Sequence, residues 1–350
     1  GATGRLDING AFDTGMISSV PGSMVNLNDG GSLTATNGSL AAVTLSGTAT
    51  VETNGALRLS NVAGSGGLIK AGAGTLTLDT ANTYSGQTIV NGGILLITDG
   101  GALGDTTAGT VVNNGAQLLL GTNNIVVDSG ESITISGNGP GNSGAIYAQA
   151  GGNMNIDGPV SLGADSRINV APGAWARLRL RGGLDLGTHK LTAITGGGGE
   201  RLEITAPITG SGELRKEGDG RIEAKAASPD YSGLVRITNG YVEAWATNAL
   251  GTGQITAEGD GTLLLRNGVT LPNDVVINTD GEGTAGAIRN ENSTNTITGT
   301  VTSINDASRI HVQSGQLNLT NTLALQKDVK VYGNGTLDIT GQVTGSGDIK

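Results

Sequence analysis

Gly64-Ser65-Gly66-Gly67-Leu68-Ile69-Lys70, running on through Gly72-Ala73-Gly74 into Thr75-Leu76-Thr77-Leu78, is the stretch whose reading decides the fold. Its last four residues alternate polar and apolar, which is the period of a strand with one buried face. The glycines before them supply the positive φ that tight turns need. Ser132-Ile133-Thr134-Ile135, Arg177-Leu178-Arg179-Leu180, Glu203-Ile204-Thr205 and Gln316-Leu317-Asn318-Leu319 repeat the alternation and are likewise broken by Gly, Asn, Asp or Ser. No stretch of a dozen residues keeps helical spacing free of glycine.

The opening heptad returns as Gly210-Ser211-Gly212-Glu213-Leu214-Arg215-Lys216 and as Gly345-Ser346-Gly347-Asp348-Ile349-Lys350. Tyr84-Ser85-Gly86 matches Tyr231-Ser232-Gly233, and Ala102-Leu103-Gly104 matches Ala249-Leu250-Gly251. The chain therefore reads as long repeats over 1–63 (partial), 64–209 and 210–344, with 345–350 starting the next, all in one continuous domain. Inside each repeat, strand clusters recur about every 20 residues, a step that fits one coil of a solenoid. The expectation is an all-β fold, a right-handed parallel β-helix of about sixteen coils.

Composition supports this. There are 62 glycines in 350 residues, against a usual share of about 7%. Only eight residues are aromatic, namely 2 Trp, 5 Tyr and 1 Phe. A narrow coil filled with Val, Ile, Leu, Ala and Thr explains both figures, whereas sandwiches and propellers pin their cores with aromatic rings. Disorder fails on the recurring apolar runs, such as Leu118-Leu119-Leu120 and Leu263-Leu264-Leu265, and collagen fails for want of glycine at every third residue. No disulfide is possible without cysteine, and no apolar run approaches the ~20 residues that span a bilayer. Residues 1–20 contain no basic start followed by an apolar core. The chain begins on Gly1-Ala2-Thr3-Gly4 and ends on Asp348-Ile349-Lys350 in mid-pattern, which reads as a piece of something longer.

Gly74, then Tyr84-Ser85-Gly86, Asn91-Gly92-Gly93 and Ala102-Leu103-Gly104, set in their surrounding residues, closely resemble the autotransporter-associated strand repeat of Gram-negative passenger domains. The second copy is more diverged, lacking Asn-Thr before Tyr231 and a second glycine after Asn239. The resemblance implies a β-helical passenger exported to the cell surface by type V secretion, through an outer-membrane barrel not contained in this chain. In that family the repeat is associated with passenger transport and folding. Membrane contact would run only through that barrel.

Chemistry is sparsely signalled. His189 and His311 read as solvated surface residues, and Asp128-Ser129-Gly130 as a turn, since a serine nucleophile needs a base in reach. The carboxylate pairs Glu200 with Glu203, Glu213 with Glu217, and Asp280 with Glu282 are the candidates for a polysaccharide lyase or hydrolase. Asp219, Asp260 and Glu282 lie between glycines without the tandem nonapeptide run of calcium sites, and the glycine run at 196–199 lacks the Lys-Ser/Thr of a phosphate loop. No catalytic residue, metal site or cofactor is assigned.

One region differs. Residues 167–236 hold 11 of the 20 basic residues against eight acids. Where the first copy has Thr75, Thr77 and Asp79, the second has Arg221, Glu223 and Lys225; where it has Ile94, Leu96 and Thr98, the second has Tyr241, Glu243 and Trp245. Arg179 and Arg181 align with Asn318 and Thr320 of the next repeat, with Trp175 inserted beside them. The candidate binding face for a glycan or polyanion is therefore Trp175, Arg177, Arg179, Arg181, Arg201, Arg221, Lys225, Tyr241 and Trp245. The competing reading is a solvated, self-neutralised ladder in which Glu203, Glu223 and Glu243 pair with Arg on adjacent coils. Surface glycans or proteins and self-association are the expected partners, and a net charge of −10 disfavours nucleic acid. The expected function is a structural and adhesive β-helical stalk, with a carbohydrate-active enzyme as the alternative.

Overall fold

The computed structural model describes residues 4–19, 21–149, 151–173, 175–197 and 199–350. Residues 1–3 and Gly198 of the glycine run lie outside the described residues. The chain divides into two compact units, Gly1–Asn169 and Val170–Lys350. Apart from single turns of 3-10 helix at Pro140–Asn142 and Glu282–Thr284, the described regular structure is strand.

In the first unit, Ala49–Glu52, Leu68–Ala71, Thr88–Val90, Thr110–Val112 and Ile133–Gly137 stack as parallel neighbours on one face. Partners along it lie about 20 residues apart, from 18 between Ser32 and Thr50 to 29 between Gly137 and Ser166, past a register shift after Ile135. A second face stacks Ala56–Gly64, Thr75–Leu78, Gly93–Ile97, Ala116–Leu120 and Ile146–Ala148. Alternation turns every other residue inward, so Leu57, Leu76, Leu95, Leu118 and Ile146 form one column, each at most 1% exposed. Each such side chain contributes ~2 kcal/mol of burial, and the column continues as long as coils are added.

The second unit is built in the same way. Its first face runs through Thr192, Arg215, Arg236, Thr256, Val276, Thr302, Ala324 and Thr344. Its second face carries the inward column Leu178, Leu202, Ile222, Val242, Leu263, Ile288 and Ile310. Thr270–Leu271, Thr294–Ile297, Gln316–Leu319 and Thr336–Ile339 form a third face. With about eight coils in each unit, the parallel β-solenoid of about sixteen turns agrees with the sequence expectation.

The repeat motif occupies a corner of the coil. Tyr84 and Tyr231 are the largest fully buried side chains. Tyr84 Oη and Thr88 Oγ1 share a 2.6 Å hydrogen bond, and Tyr231 Oη bonds the main chain at Gly212, Leu214 and Leu234. Gly104, at φ +91°, makes room for the ring: a Cβ there would stand 2.9 Å from Tyr84 Cε2 and Cζ. Gly74, Gly86 and Gly93 press against the main chain of the preceding coil, while Gly92 is less crowded. Ala102 and Leu103 are buried beside the ring. Asn91 accepts from Asn113 at 2.7 Å one coil on, and the Ser85 N–H donates to the Gly64 carbonyl at 2.9 Å. The motif thus encodes a packed corner.

Candidate functional site

On the second face of the second unit, the outward residues fall into ladders. One reads Arg177, Arg201, Arg221, Tyr241; the next reads Arg179, Glu203, Glu223, Glu243. Although the glutamates point away from the coil interior, Glu203 and Glu223 are each 3% exposed and Glu243 is 0% exposed. Long cationic stems on either side roof them over.

Every carboxylate in this ladder is shared. Glu203 lies 2.9 Å from Arg177, 2.7 Å from Arg179, 3.3 Å from Arg201 and 3.6 Å from Lys225. Lys225 also reaches Glu223 at 2.7 Å, and Arg201 approaches it at 3.5 Å. Glu243 takes Arg221 at 2.6 Å and Arg266 at 3.0 Å, and its Oε2 accepts the Trp245 indole N–H at 3.0 Å. Together these residues line a groove of about 380 Å³. Six cations face three carboxylates, leaving three positive charges in excess within a chain of net charge −10.

The self-neutralising ladder of the sequence reading is present, but its acids are buried rather than solvated, and the neutralisation is incomplete. Of the residues predicted for binding, Arg177, Arg179, Arg201, Arg221, Lys225 and Trp245 line this groove. Tyr241 borders an adjoining groove with Arg221, Leu264, Arg266, Arg289 and Glu291. Trp175 and Arg181 line neither; Trp175 is 70% exposed, sits at φ +60°, and lays its ring on Gly199. The other two rings are capped by cations. Trp245 has Lys225 over it at 4.8 Å and Arg266 at 5.2 Å, and Tyr241 has Arg221 at 5.6 Å. Arg266 was missed from sequence because it falls outside the basic window, one coil beyond Trp245.

The remaining candidates are dispersed. Glu200 is buried and accepts the backbone N–H of Gly173 at 2.8 Å and of Gly199 at 3.1 Å. Glu213 and Glu217 flank Arg215 at 2.9 and 3.9 Å, Asp280 faces Arg309 at 3.4 Å, and Glu282 accepts the Gly240 N–H at 3.2 Å. His311 is not freely solvated: its ring stacks on Tyr332 with centroids 4.3 Å apart, Nδ1 lies 3.2 Å from the Ala285 carbonyl, and burial lowers its pKa. Among the described residues no group of three His, Cys, Asp or Glu side chains could hold a metal ion, and no helix is long and apolar enough to cross a membrane.

Comparison with known proteins points one way. Residues 68–97 match the model of the passenger-associated-transport-repeat family, a span that contains the Tyr84 corner and Lys70. The chain is 27% identical over 295 residues to the protein named Adhesin BmaC autotransporter of Brucella suis biovar 1 (strain 1330). That match covers 78% of this chain but spans only 8% of the relative's length. No solved structure matches significantly. A transport repeat set in stacked parallel coils, with similarity to an autotransporter over most of the chain, supports an autotransporter passenger and points to export across the outer membrane to the cell surface.

Proposed function

We propose that this segment is a non-enzymatic, structural and adhesive part of its passenger, mediating attachment or aggregation at the cell surface. The carrying observation is a contrast between equivalent strands. Leu76 and Leu95 in the first unit and Ile222 and Val242 in the second fill the same inward positions. Outward, Thr75 and Thr77 beside Ile94 and Leu96 give way to Arg221 and Glu223 beside Tyr241 and Glu243. A constant interior under variable outward residues is a frame for contact surfaces. The word adhesin in the name of the Brucella relative supports the same reading.

Glycan cleavage by a lyase or hydrolase is the alternative, and it calls for carboxylates open to substrate. Glu203, Glu223 and Glu243 are each engaged by cations, and Glu200 by two backbone N–H groups. Attachment is therefore favoured. The repeat at 68–97 aids export by folding: each coil completed outside the cell buries its column on the one before, and the chain is drawn outward without ATP.

Beads coated with the protein should adhere to host or bacterial cells, and failure of folded protein to adhere or to self-associate in sedimentation would overturn the proposal. Incubation with acidic polysaccharides should release no products. Turnover lost on Glu200→Gln or Glu203→Gln would establish the enzyme instead.

A further inference from the structure

Resting on the attachment reading, we infer that the second-face groove takes a linear acidic polysaccharide, laid along the direction in which the coils stack. Its carboxylates or sulfates would be held by guanidinium groups one coil apart.

Charge is the first argument. The three excess positive charges are concentrated on one face of a chain that is acidic overall, so an anion finds this groove and little else. The cations are also pre-oriented. Arg179 and Arg266 donate Nε–H to the buried glutamates, and the six cationic side chains of the groove keep 21–31% of their surface exposed. Glu203 and Glu243 thus act as positioning residues, which lowers the entropy lost when the guanidinium fork closes on a ligand.

Spacing is the second argument. Arg177, Arg201 and Arg221 are direct ladder partners, so cations recur at the parallel-strand separation of ~4.8 Å. That is close to the length of one sugar in an extended glycan. The adjoining groove shares Arg221 and Arg266 and continues to Arg289, extending the track over six coils, about 24 Å. An oligomer fits such a track better than a single sugar.

The rings supply the third argument. Trp245 lies between Lys225 and Arg266, and Tyr241 carries Arg221, so neither presents the bare platform on which nucleic-acid bases stack. Regular anionic charge, without bases, is what the groove selects.

The test is binding of the full chain to immobilised polygalacturonate, heparin, neutral dextran and single-stranded DNA. Retention is expected on polygalacturonate or heparin and not on dextran, and these two arms separate carboxylate from sulfate recognition. Affinity should fall about tenfold or more between about 50 and 200 mM salt as counterions compete. Arg179→Gln with Arg221→Gln should weaken binding at least about tenfold at an unchanged melting temperature, since Glu203 keeps three cations and Glu243 keeps Arg266. If that pair lowers the melting temperature, Arg179→Gln alone should still weaken binding. Arg236→Gln, on the first face with Glu213 and Glu258, should leave binding unchanged. No retention on either acidic polysaccharide, equal retention on DNA, or equal loss with Arg236→Gln overturns the inference. Coated beads that adhere to cells but are not competed by either polysaccharide would leave attachment standing and remove this ligand; polysaccharide binding without adhesion would do the reverse.

Discussion

Lys70 and Lys216 occupy the same corner of equivalent coils, and each turns its ammonium inward onto three main-chain carbonyls. Lys70 Nζ donates to Ala71 and Gly72 at 2.8 Å and to Gly92, one coil on, at 2.9 Å. Lys216 Nζ donates to Glu217 at 2.8 Å, to Gly218, and to Asn239 of the next coil at 3.3 Å. Both side chains are fully buried. Three donors meet three acceptors, so each lysine clips two successive coils together.

Burial pushes Lys216 down to about 7 from an ordinary value of 10.5, and Lys70 down to about 8. Between those limits the unfolded chain keeps protons that the folded chain has released, so the lysines make stability rise with pH from about 7 upward. Denaturant midpoints at pH 7 and pH 9 should show this rise, and Lys216→Met should reduce it. The same variant should be less stable at both pH values by ~2–4 kcal/mol, because three buried carbonyls lose their donor.

Glu131 behaves oppositely. Burial first, and Asp128 nearby, push it up to about 7, while the Thr110 hydroxyl donates to it at 2.6 Å. The folded chain therefore holds a proton that the unfolded chain lacks, and stability falls as pH rises from about 4.5 to 7. Glu131→Gln can keep the Thr110 bond while removing the titration. Its melting temperature should fall less than the parent's between pH 5 and 7.5, by a margin worth up to about 3 kcal/mol.

The tyrosine corner separates a hydrogen bond from a packing contact. Tyr84→Phe forfeits the bond to Thr88 and should cost ~1 kcal/mol. Gly104→Ala must displace a fully buried ring at a positive φ and should cost more than ~2 kcal/mol. Thermal melts rank the two, and surface display of the parent passenger should fall in the same order if coil folding draws the chain outward.

Glu243 tests the buried ladder. Glu243→Ala leaves Arg221, Arg266 and the Trp245 N–H facing a carboxylate-sized void, an expected loss of ~3–5 kcal/mol in chemical denaturation. Glu243→Gln, which keeps an acceptor, should lose less. Equal losses in the two variants would show that the charge removed from both, rather than the retained acceptor, carries the stability.

Much of this was legible in the residues. Alternation and the returning glycine heptad predict strands, coils and their approximate number, because a period of two admits one buried face and a repeat admits one corner. The aligned pairs Thr75 with Arg221 and Ile94 with Tyr241 do occupy equivalent ladder positions. Lys70 and Lys216 went unremarked, although their retention in both copies was a signal: a lysine on a coil reads as solvated until the turn beyond it is known. Arg266 and Glu131 carry no sequence mark, since each acquires its partner from a strand about one coil away.

The sequence by itself determined the solenoid, the resemblance to autotransporter passengers and the concentration of basic residues between 167 and 236. Only the tertiary structure decided which charges meet, that the glutamates are buried beneath their cations, that Trp245 and Tyr241 are capped, and that Trp175 stands apart. The physical reason is one of range. Strand period and turn chemistry act within a few residues, whereas an ion pair or a ring contact depends on how coils 20 or more residues apart are brought into register.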